Sequence, residues 1–429
     1  MGTRVLTHAG EAFQYRNRHL HCDDVSAERL VAEYGTPLYV YSETAIIERF
    51  HAFTRAFAAV DPLIAYSVKA NGNLAVLQLL ADAGAGADIV SGGELYRAQL
   101  AGIPAESIVF SGVGKTLTEL AAALRAGIYA FNVESKGELY ALSDLAQTMG
   151  ERAPIALRVN PDVETATPHH YTATGHKQTK FGIPYDEAEA LYASAAALPG
   201  IRVRGIDVHI GSQIVDPEPY RLAVARVLEL VDRLRARGID LEFIDMGGGF
   251  GVNYGADDRH SEPAVFAEAI VQPLRASGLR VLFEPGRYIV GPAGVLLTRV
   301  LYIKRMGGKT FVITDAGMND LLRPSHYASY HRVEPALLAP DRPTIEVDVV
   351  GPICESGDFL ALDRPIPRVE AGELLAIGTV GAYGFSMAST YNARPRPAEV
   401  MVAGASHRLI RRRENHDDLV RGEIEFLDH

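Results

Sequence analysis

Eight short apolar runs, centred on Ile64, Ile89, Val109, Phe131, Leu157, Ile206, Ile244 and Leu282, alternate with Ala/Leu-rich stretches of helical spacing. LAVLQLLADAG, LTELAAALRAG and YRLAVARVLELVDRLRARG are three of those stretches, and each ends in the glycine that commonly stops a helix. Strand–helix alternation on this scale either closes into a (β/α)8 TIM-type barrel or stays an open doubly wound sheet. The polar residues favour the barrel. Lys69, Asp88, Ser91, Ser111, Asn132, Arg158, His209, Gly247 and Glu284 all fall at or just past the carboxyl ends of the runs. In a barrel those ends form one face, and active sites are built there. The barrel is expected over residues 35–290. Beyond Val290 the pattern turns Val/Ile/Thr-rich with few helical stretches, as in GVLLTRVLYIKRMGGKTFVITDAG and TIEVDVVGPI. That predicts an all-β domain, a barrel or sandwich, over 291–429, completed by residues 1–34.

Composition narrows the partners. A formal net charge of −11 counts against nucleic acid and anionic membrane surfaces. Cys22 and Cys354 are the only cysteines, too few and too far apart for a disulfide framework, which fits a reducing compartment. No apolar stretch approaches membrane-spanning length, and the first twenty residues carry neither a leader's apolar core nor a myristoylation signal. A cytoplasmic protein is the expectation.

The strand-end residues carry the chemistry. Lys69, in Tyr66-Ser67-Val68-Lys69-Ala70-Asn71, follows an apolar run and precedes a turn, where a lysine can act as an amine nucleophile. Gly247-Gly248-Gly249-Phe250-Gly251 follows the seventh run. Consecutive glycines let backbone N–H groups approach a phosphate, above all with a helix start behind them, although a tight strand-to-helix turn needs glycines too. Gly112-Val113-Gly114-Lys115-Thr116 imitates a nucleotide-binding loop, but Val109 occupies the place of its first glycine, which rejects that reading. Glu284-Pro285-Gly286-Arg287 closes the eighth run with an acid that can keep a pyridine nitrogen protonated, or with a plain ion pair. His209-Ile210-Gly211-Ser212-Gln213 offers a ring to stack on a flat cofactor and a hydroxyl for phosphate. In the β-rich half, Cys354-Glu355-Ser356-Gly357-Asp358 is either an inert thiol or a proton donor, and Arg323-Pro324-Ser325-His326-Tyr327 a surface turn or a carboxylate clamp. His169, His170 and His176 lack a partnered metal-ligand spacing, so no metal is expected.

Taken together and in this order, these motifs resemble the fold-type III pyridoxal-phosphate decarboxylases. Asp315-Ala316-Gly317-Met318-Asn319-Asp320-Leu321-Leu322-Arg323-Pro324, with Thr174-Gly175-His176 and Lys180-Phe181-Gly182, is similar to the diaminopimelate decarboxylase branch. The resemblance implies pyridoxal 5′-phosphate bound to Lys69 as a Schiff base, His209 stacked on its ring, and Glu284 paired with the pyridinium nitrogen. It implies phosphate contacts from Ser212, Gly248 and Gly249 with Tyr383 nearby, and Asp88, Arg158, Gly286 and Arg287 within the cofactor-binding set. Substrate would be held by Arg287, Arg323, Tyr327, Glu355 and Tyr383. Cys354 would be the acid, delivered from the other subunit of a homodimer with shared active sites. The implied reaction is decarboxylation of meso-2,6-diaminopimelate to L-lysine. Decarboxylases of ornithine, arginine or carboxynorspermidine are the alternative, but their substrates have no distal α-carboxylate for paired arginines. A racemase is expected to place arginine, not Glu284, at the pyridine nitrogen. A non-catalytic regulatory relative should have lost Lys69 or Cys354. His326 departs from the pattern, where an apolar residue is more familiar, and bears on local packing.

Overall fold

A computed structural model of the chain describes residues 12–163, 180–255 and 262–427. Each of the eight apolar runs becomes one parallel strand: β1 (Leu63–Ser67), β2 (Gly86–Ile89), β3 (Ile108–Phe110), β4 (Ala130–Val133), β5 (Ala153–Asn160), β6 (Ile201–Asp207), β7 (Phe243–Asp245) and β8 (Arg280–Phe283). Successive strands pair in parallel, and β8 returns to β1 through Leu282 opposite Leu63 and Phe283 opposite Ile64. The sheet therefore closes, and the open-sheet alternative is ruled out. Buried residues dominate every strand because helices cover the outer face while side chains fill the inside.

The barrel interior is plugged toward the amino ends of its strands. Leu63, Ala65, Val109, Tyr129, Ala130, Ala156, Phe243 and Leu282 form one buried cluster. The Tyr129 and Phe243 rings lie 5.1 Å apart, and the Arg204 guanidinium sits 4.4 Å from the Tyr129 ring centre. Such packing leaves the carboxyl ends as the face available for chemistry. Some of the strand-to-helix turns there are capped by side chains: the Ser91 hydroxyl accepts from the Glu94 N–H, and Thr116 with Glu119 forms a reciprocal capping box.

The chain divides into two compact units, one formed by Phe50–Val252 with Arg259–Tyr288, the other by Met1–Arg49 with Asn253–Asp258 and Ile289–His429. The second is built on the long strand Gly294–Met306. It pairs antiparallel with Lys309–Thr314, Leu374–Ile377 and Leu38–Ser42, and Leu38–Ser42 in turn pairs in parallel with Ala398–Ala403. Division of the chain at residue 35 therefore misplaces Leu38–Ser42. This apolar run falls within the 35–290 stretch expected for the barrel, although it is none of the eight barrel runs, and it lies inside the β-rich unit. Residues 12–34 join the same unit: the Leu20 N–H donates to Ala336 O at 2.8 Å and the Tyr15 hydroxyl to Pro335 O at 2.7 Å. They also form a helix, Ala27–Tyr34, capped by Ser26. Among the described residues no helix is long and apolar enough to cross a membrane.

Gly205, on β6, faces the Phe243 ring so closely that an added Cβ would lie 2.4 Å from it. Gly205→Ala should destabilise the barrel by about 1–3 kcal/mol through overpacking. Urea unfolding followed by circular dichroism checks this, and an unchanged midpoint would mean that the ring yields freely.

Candidate active site

Lys69 occupies a single turn of 3-10 helix, Val68–Ala70, into which β1 runs directly. The Tyr66 hydroxyl ties the turn down by donating to Asn71 O at 3.0 Å. Gly286 closes over it: a Cβ there would meet Ser67 Cβ at 2.8 Å and Ala70 Cβ at 2.9 Å. Lys69 Nζ makes an ion pair with Asp88, which lies one residue before the end of β2 and is fully buried, and also donates to Ser67 Oγ at 3.0 Å. The Ser67 hydroxyl donates in turn to Asp88 Oδ2 at 2.6 Å. The amine is thus held in a closed set of three polar groups, of which sequence reasoning singles out Lys69 and Asp88. The lysine side chain stays about one-third exposed, so a small molecule can reach its amine.

Glu284, just past β8, is buried with Asp245 from the end of β7 and Asp207 from the end of β6, with carboxylate oxygens of all three within 4.8 Å. Burial, then the Asp245 and Asp88 charges, push the Glu284 carboxyl well above the ordinary range. Burial, then Asp207, raise Asp245 to about 8. Burial, then Glu284, raise Asp207 well above its usual value, with Arg158 pulling the other way. Near neutral pH the cluster therefore holds protons. Ser111 Oγ and Asn132 Nδ2 each donate to Glu284 Oε1 at 3.3 Å, and the Gly247 N–H donates to Asp245 Oδ1 at 2.9 Å. Three oxygens at this spacing also match a divalent-cation site, a geometry that the sequence does not reveal. These donors, however, already engage Glu284 and Asp245.

Arg158, on β5, is the charge that makes the cluster tolerable. It pairs with Glu134 at 2.8 Å and lies 3.9 Å from Asp207. Burial opposes its charge, but Glu134, Asp207 and Glu284 outweigh that and raise its pKa. Glu134 also accepts the N–H of Gly112 at 2.8 Å and of Gly182 at 3.2 Å, so one buried carboxylate binds three separate chain segments.

His209 follows β6. Burial, then Arg158 and Lys69, lower its pKa far below the usual value, so the ring is neutral. Its Nδ1 accepts the Gly248 N–H at 3.2 Å, which assigns the proton to Nε2. A flat neutral ring suits stacking. The glycine loop after β7 is required by close approach: a Cβ on Gly248 would lie 2.2 Å from Glu284 O, and Gly247 and Gly249 have φ of 65° and 97°. Among the described residues the next helix after the loop begins at Pro263. The Gly248 N–H donates to His209 Nδ1, and Ser212 Oγ accepts from Arg287 Nη2 at 2.9 Å, so the glycine loop and Ser212 are each tied to a neighbouring side chain.

The remaining predicted residues lie in the β-rich unit. Arg323 is buried at the start of the short helix Arg323–Tyr327. Its Nε donates to His331 Nε2 at 3.3 Å and its Nη2 to Ser329 Oγ at 3.2 Å. His331 Nδ1 lies 3.0 Å from Gly378 O, so this buried imidazole is neutral with its proton on Nδ1. The guanidinium also covers Tyr254 at 5.2 Å and Tyr327 at 5.8 Å. His326, the departure from the family pattern, packs edge-on against Tyr327 with ring centres 4.5 Å apart. Cys354 and Glu355 are exposed on a loop fixed from below: Asp358 accepts the N–H groups of Met318 and Ile353, both at 2.6 Å, and Asn392 Oδ1 accepts the Cys354 N–H at 2.8 Å. Tyr383 is half-buried, with φ of 56°.

Lys115, in the rejected nucleotide-loop imitation, is a buried staple that donates to Gly112 O, Asn132 O and Glu138 Oε1 at 2.7–2.8 Å. Ser91 is a helix cap. His169, His170 and Thr174-Gly175-His176 lie outside the described residues. Ser67, Glu134, Asp207, Asp245 and His331 escape notice in the sequence. The first four stand at or just past strand ends, the very signal that picks out Lys69 and Glu284.

Residues 43–291 match the family described as pyridoxal-dependent decarboxylase, pyridoxal binding domain. The diaminopimelate decarboxylase of Aquifex aeolicus is 49% identical over 413 residues, covering 96% of this chain and 97% of that protein. The crystal structure of diaminopimelate decarboxylase from Helicobacter pylori complexed with L-lysine is 42% identical and superposes with a TM-score of 0.89, covering 93% of this chain and 100% of that one. That from M. jannaschii in co-complex with L-lysine is 37% identical with a TM-score of 0.92, covering 97% and 98%.

An acid whose folded pKa exceeds its unfolded value binds more protons folded than unfolded, so its contribution to stability is complete at low pH and is lost as pH rises. For Asp245 that window runs from its ordinary value of 3.8 to about 8. Asp245→Asn should flatten the fall in stability of the cofactor-free protein across this range, measured by urea unfolding at stepped pH. An unchanged slope would place the shared proton elsewhere.

Proposed function

The chain belongs to the diaminopimelate decarboxylase family of pyridoxal-dependent decarboxylases, and from that premise we propose that it converts meso-2,6-diaminopimelate to L-lysine and carbon dioxide. The observation that carries this reading is the pairing of a held amine, Lys69 against Asp88 and Ser67, with a buried carboxyl, Glu284, whose raised pKa suits a partner N–H. The residues fit pyridoxal 5′-phosphate: an amine for its aldehyde, Glu284 for its ring nitrogen, a neutral imidazole held by the Gly248 N–H, and a glycine loop in which a Cβ would collide. When bound, the cofactor supplies an electron sink for the carbanion left by loss of carbon dioxide.

The chain's own residues supply the rest. Lys69 Nζ is the nucleophile, and Asp88 and Ser67 receive and return its protons. Glu284 keeps a proton at the ring nitrogen, and Ser111 and Asn132 fix the carboxyl that does so. Arg287 and Arg323 serve the substrate's carboxylates, a role for which a planar guanidinium is suited by its paired donors. The pre-engagement of Arg323 by His331 and Ser329 lowers the entropy lost on binding. Glu355 serves the distal ammonium, Tyr327 and Tyr383 flank the substrate, and Cys354 Sγ delivers the proton to the α-carbon. Relatives whose structures are described with L-lysine bound support the product. A homodimer in the cytoplasm, with Cys354 serving the partner's site, accords with the exposure of Cys354 and Glu355 on a rigidly held loop.

Carbon dioxide release by the cofactor-loaded protein should occur with meso-diaminopimelate and not with ornithine or arginine. Release from either of those alone would overturn the role given to the two arginines. Lys69→Ala should abolish the borohydride-reducible adduct; an adduct at another lysine would sink that assignment. Cys354→Ala should retain the cofactor while turnover falls by about 100-fold or more, as loss of a general acid requires. Mixing the two inactive variants should restore about a quarter of wild-type activity if sites are shared across a two-fold dimer; no recovery would confine each site to one chain.

A further inference from the structure

Gln213 follows the phosphate-side Ser212 by one residue and sits in left-handed backbone, with φ of 65°. A side chain with a Cβ adopts that conformation only when its surroundings insist. Here its own amide does so. Nε2 donates to Val252 O, and Oε1 accepts the Val252 N–H at 3.1 Å, so both ends of one side chain pair with both polar groups of one buried residue. The next residue continues the seam: the Ile214 N–H donates to Gly249 O at 2.9 Å and the Gly251 N–H to Ile214 O at 2.8 Å, an isolated parallel bridge between Ile214 and Phe250. The loop after β6 and the loop after β7 are therefore sewn together over 213–214 and 249–252. The seam is anchored beneath by Phe250, stacked on Tyr220 at 4.9 Å and packed edge-on against Phe53 at 4.8 Å and Phe266 at 5.1 Å. At its other end the backbones press so close that a Cβ on Gly249 would lie 2.3 Å from Gly211 O.

We propose that Gln213 is a positioning residue for the cofactor phosphate, setting the spacing between Ser212 on one loop and Gly248–Gly249 on the other. The proposal rests on the assignment of those residues to the phosphate. A phosphate dianion is recognised by several donors converging on one point, and donors on two loops converge only while the loops hold register. The Gln213 amide is engaged with Val252 rather than with the aldehyde-binding lysine or Glu284. Its loss should act on the phosphate alone.

The test compares the affinity of the cofactor-free protein for pyridoxal phosphate and for pyridoxal, which has the aldehyde and ring but no phosphate, in wild type, Gln213→Ala and Gln213→Gly. The glycine variant removes the clamp and also relieves the backbone strain. Both variants should weaken pyridoxal phosphate by about tenfold or more while pyridoxal stays within about twofold, as expected when two buried backbone groups lose their partners locally. Thermal unfolding of the cofactor-free variants establishes that each is folded. Wild-type affinity in the glycine variant, equal weakening of both ligands, or failure of both variants to fold would each overturn the proposal. Equal affinity of wild type for the two ligands would instead overturn the phosphate assignment beneath it.

Discussion

Carboxylates withdrawn from water must be neutralised by protons, by fixed cations, or by a ligand, and the carboxyl end of this barrel gathers Asp88, Glu134, Asp207, Asp245 and Glu284 within its buried interior. Two fixed cations answer part of that demand: Arg158 for Glu134 and Asp207, and Lys69 for Asp88. Arg158 offsets Asp207 only in part, so the remainder falls on Asp207, Asp245 and Glu284, which meet it by holding protons. Under the proposed assignment, a pyridinium nitrogen brought to Glu284 would supply the missing positive charge. The cluster that costs stability in the cofactor-free protein would then be the one that orients the cofactor, strain at a functional site being offset by the surrounding structure.

Backbone proximity is the second organising fact. Gly286 against Ser67 and Ala70, Gly248 against Glu284 O, and Gly249 against Gly211 O bring the loops after β1, β6, β7 and β8 to spacings that no Cβ allows. Tertiary packing then fixes what the glycines leave free. Phe250, placed between glycines, inserts into the Phe53, Tyr220 and Phe266 rings and prevents a glycine-rich segment from wandering.

All eight barrel strands are legible because each is an apolar run bounded by helical stretches, and period and length suffice to identify such runs. Lys69, Asp88 and Glu284 are legible because a polar residue ending an apolar run has few reasons to be there. The same rule reaches Ser67, Glu134, Asp207 and Asp245, but each looks like an ordinary end of a strand until partners from distant runs stand beside it. His331 and Gln213 give no local signal: one matters through Arg323 and Gly378, the other through Val252. The strand Leu38–Ser42 is misassigned from sequence for a related reason. LYVYS has the pattern of any buried strand, and nothing within it reveals that its parallel neighbour begins at Ala398.

That pairing has a consequence for how the polypeptide is made. Leu38–Ser42 leaves the ribosome before any barrel strand, yet both of its neighbours, Gly294–Met306 and Ala398–Ala403, are translated after the barrel strands are complete. Throughout elongation this apolar ribbon has two unsatisfied edges, the condition under which nascent chains pair with the wrong partner. A strand synthesised early is among the last to find its place, so stalled or C-terminally truncated products should be chaperone clients even when their barrel is whole.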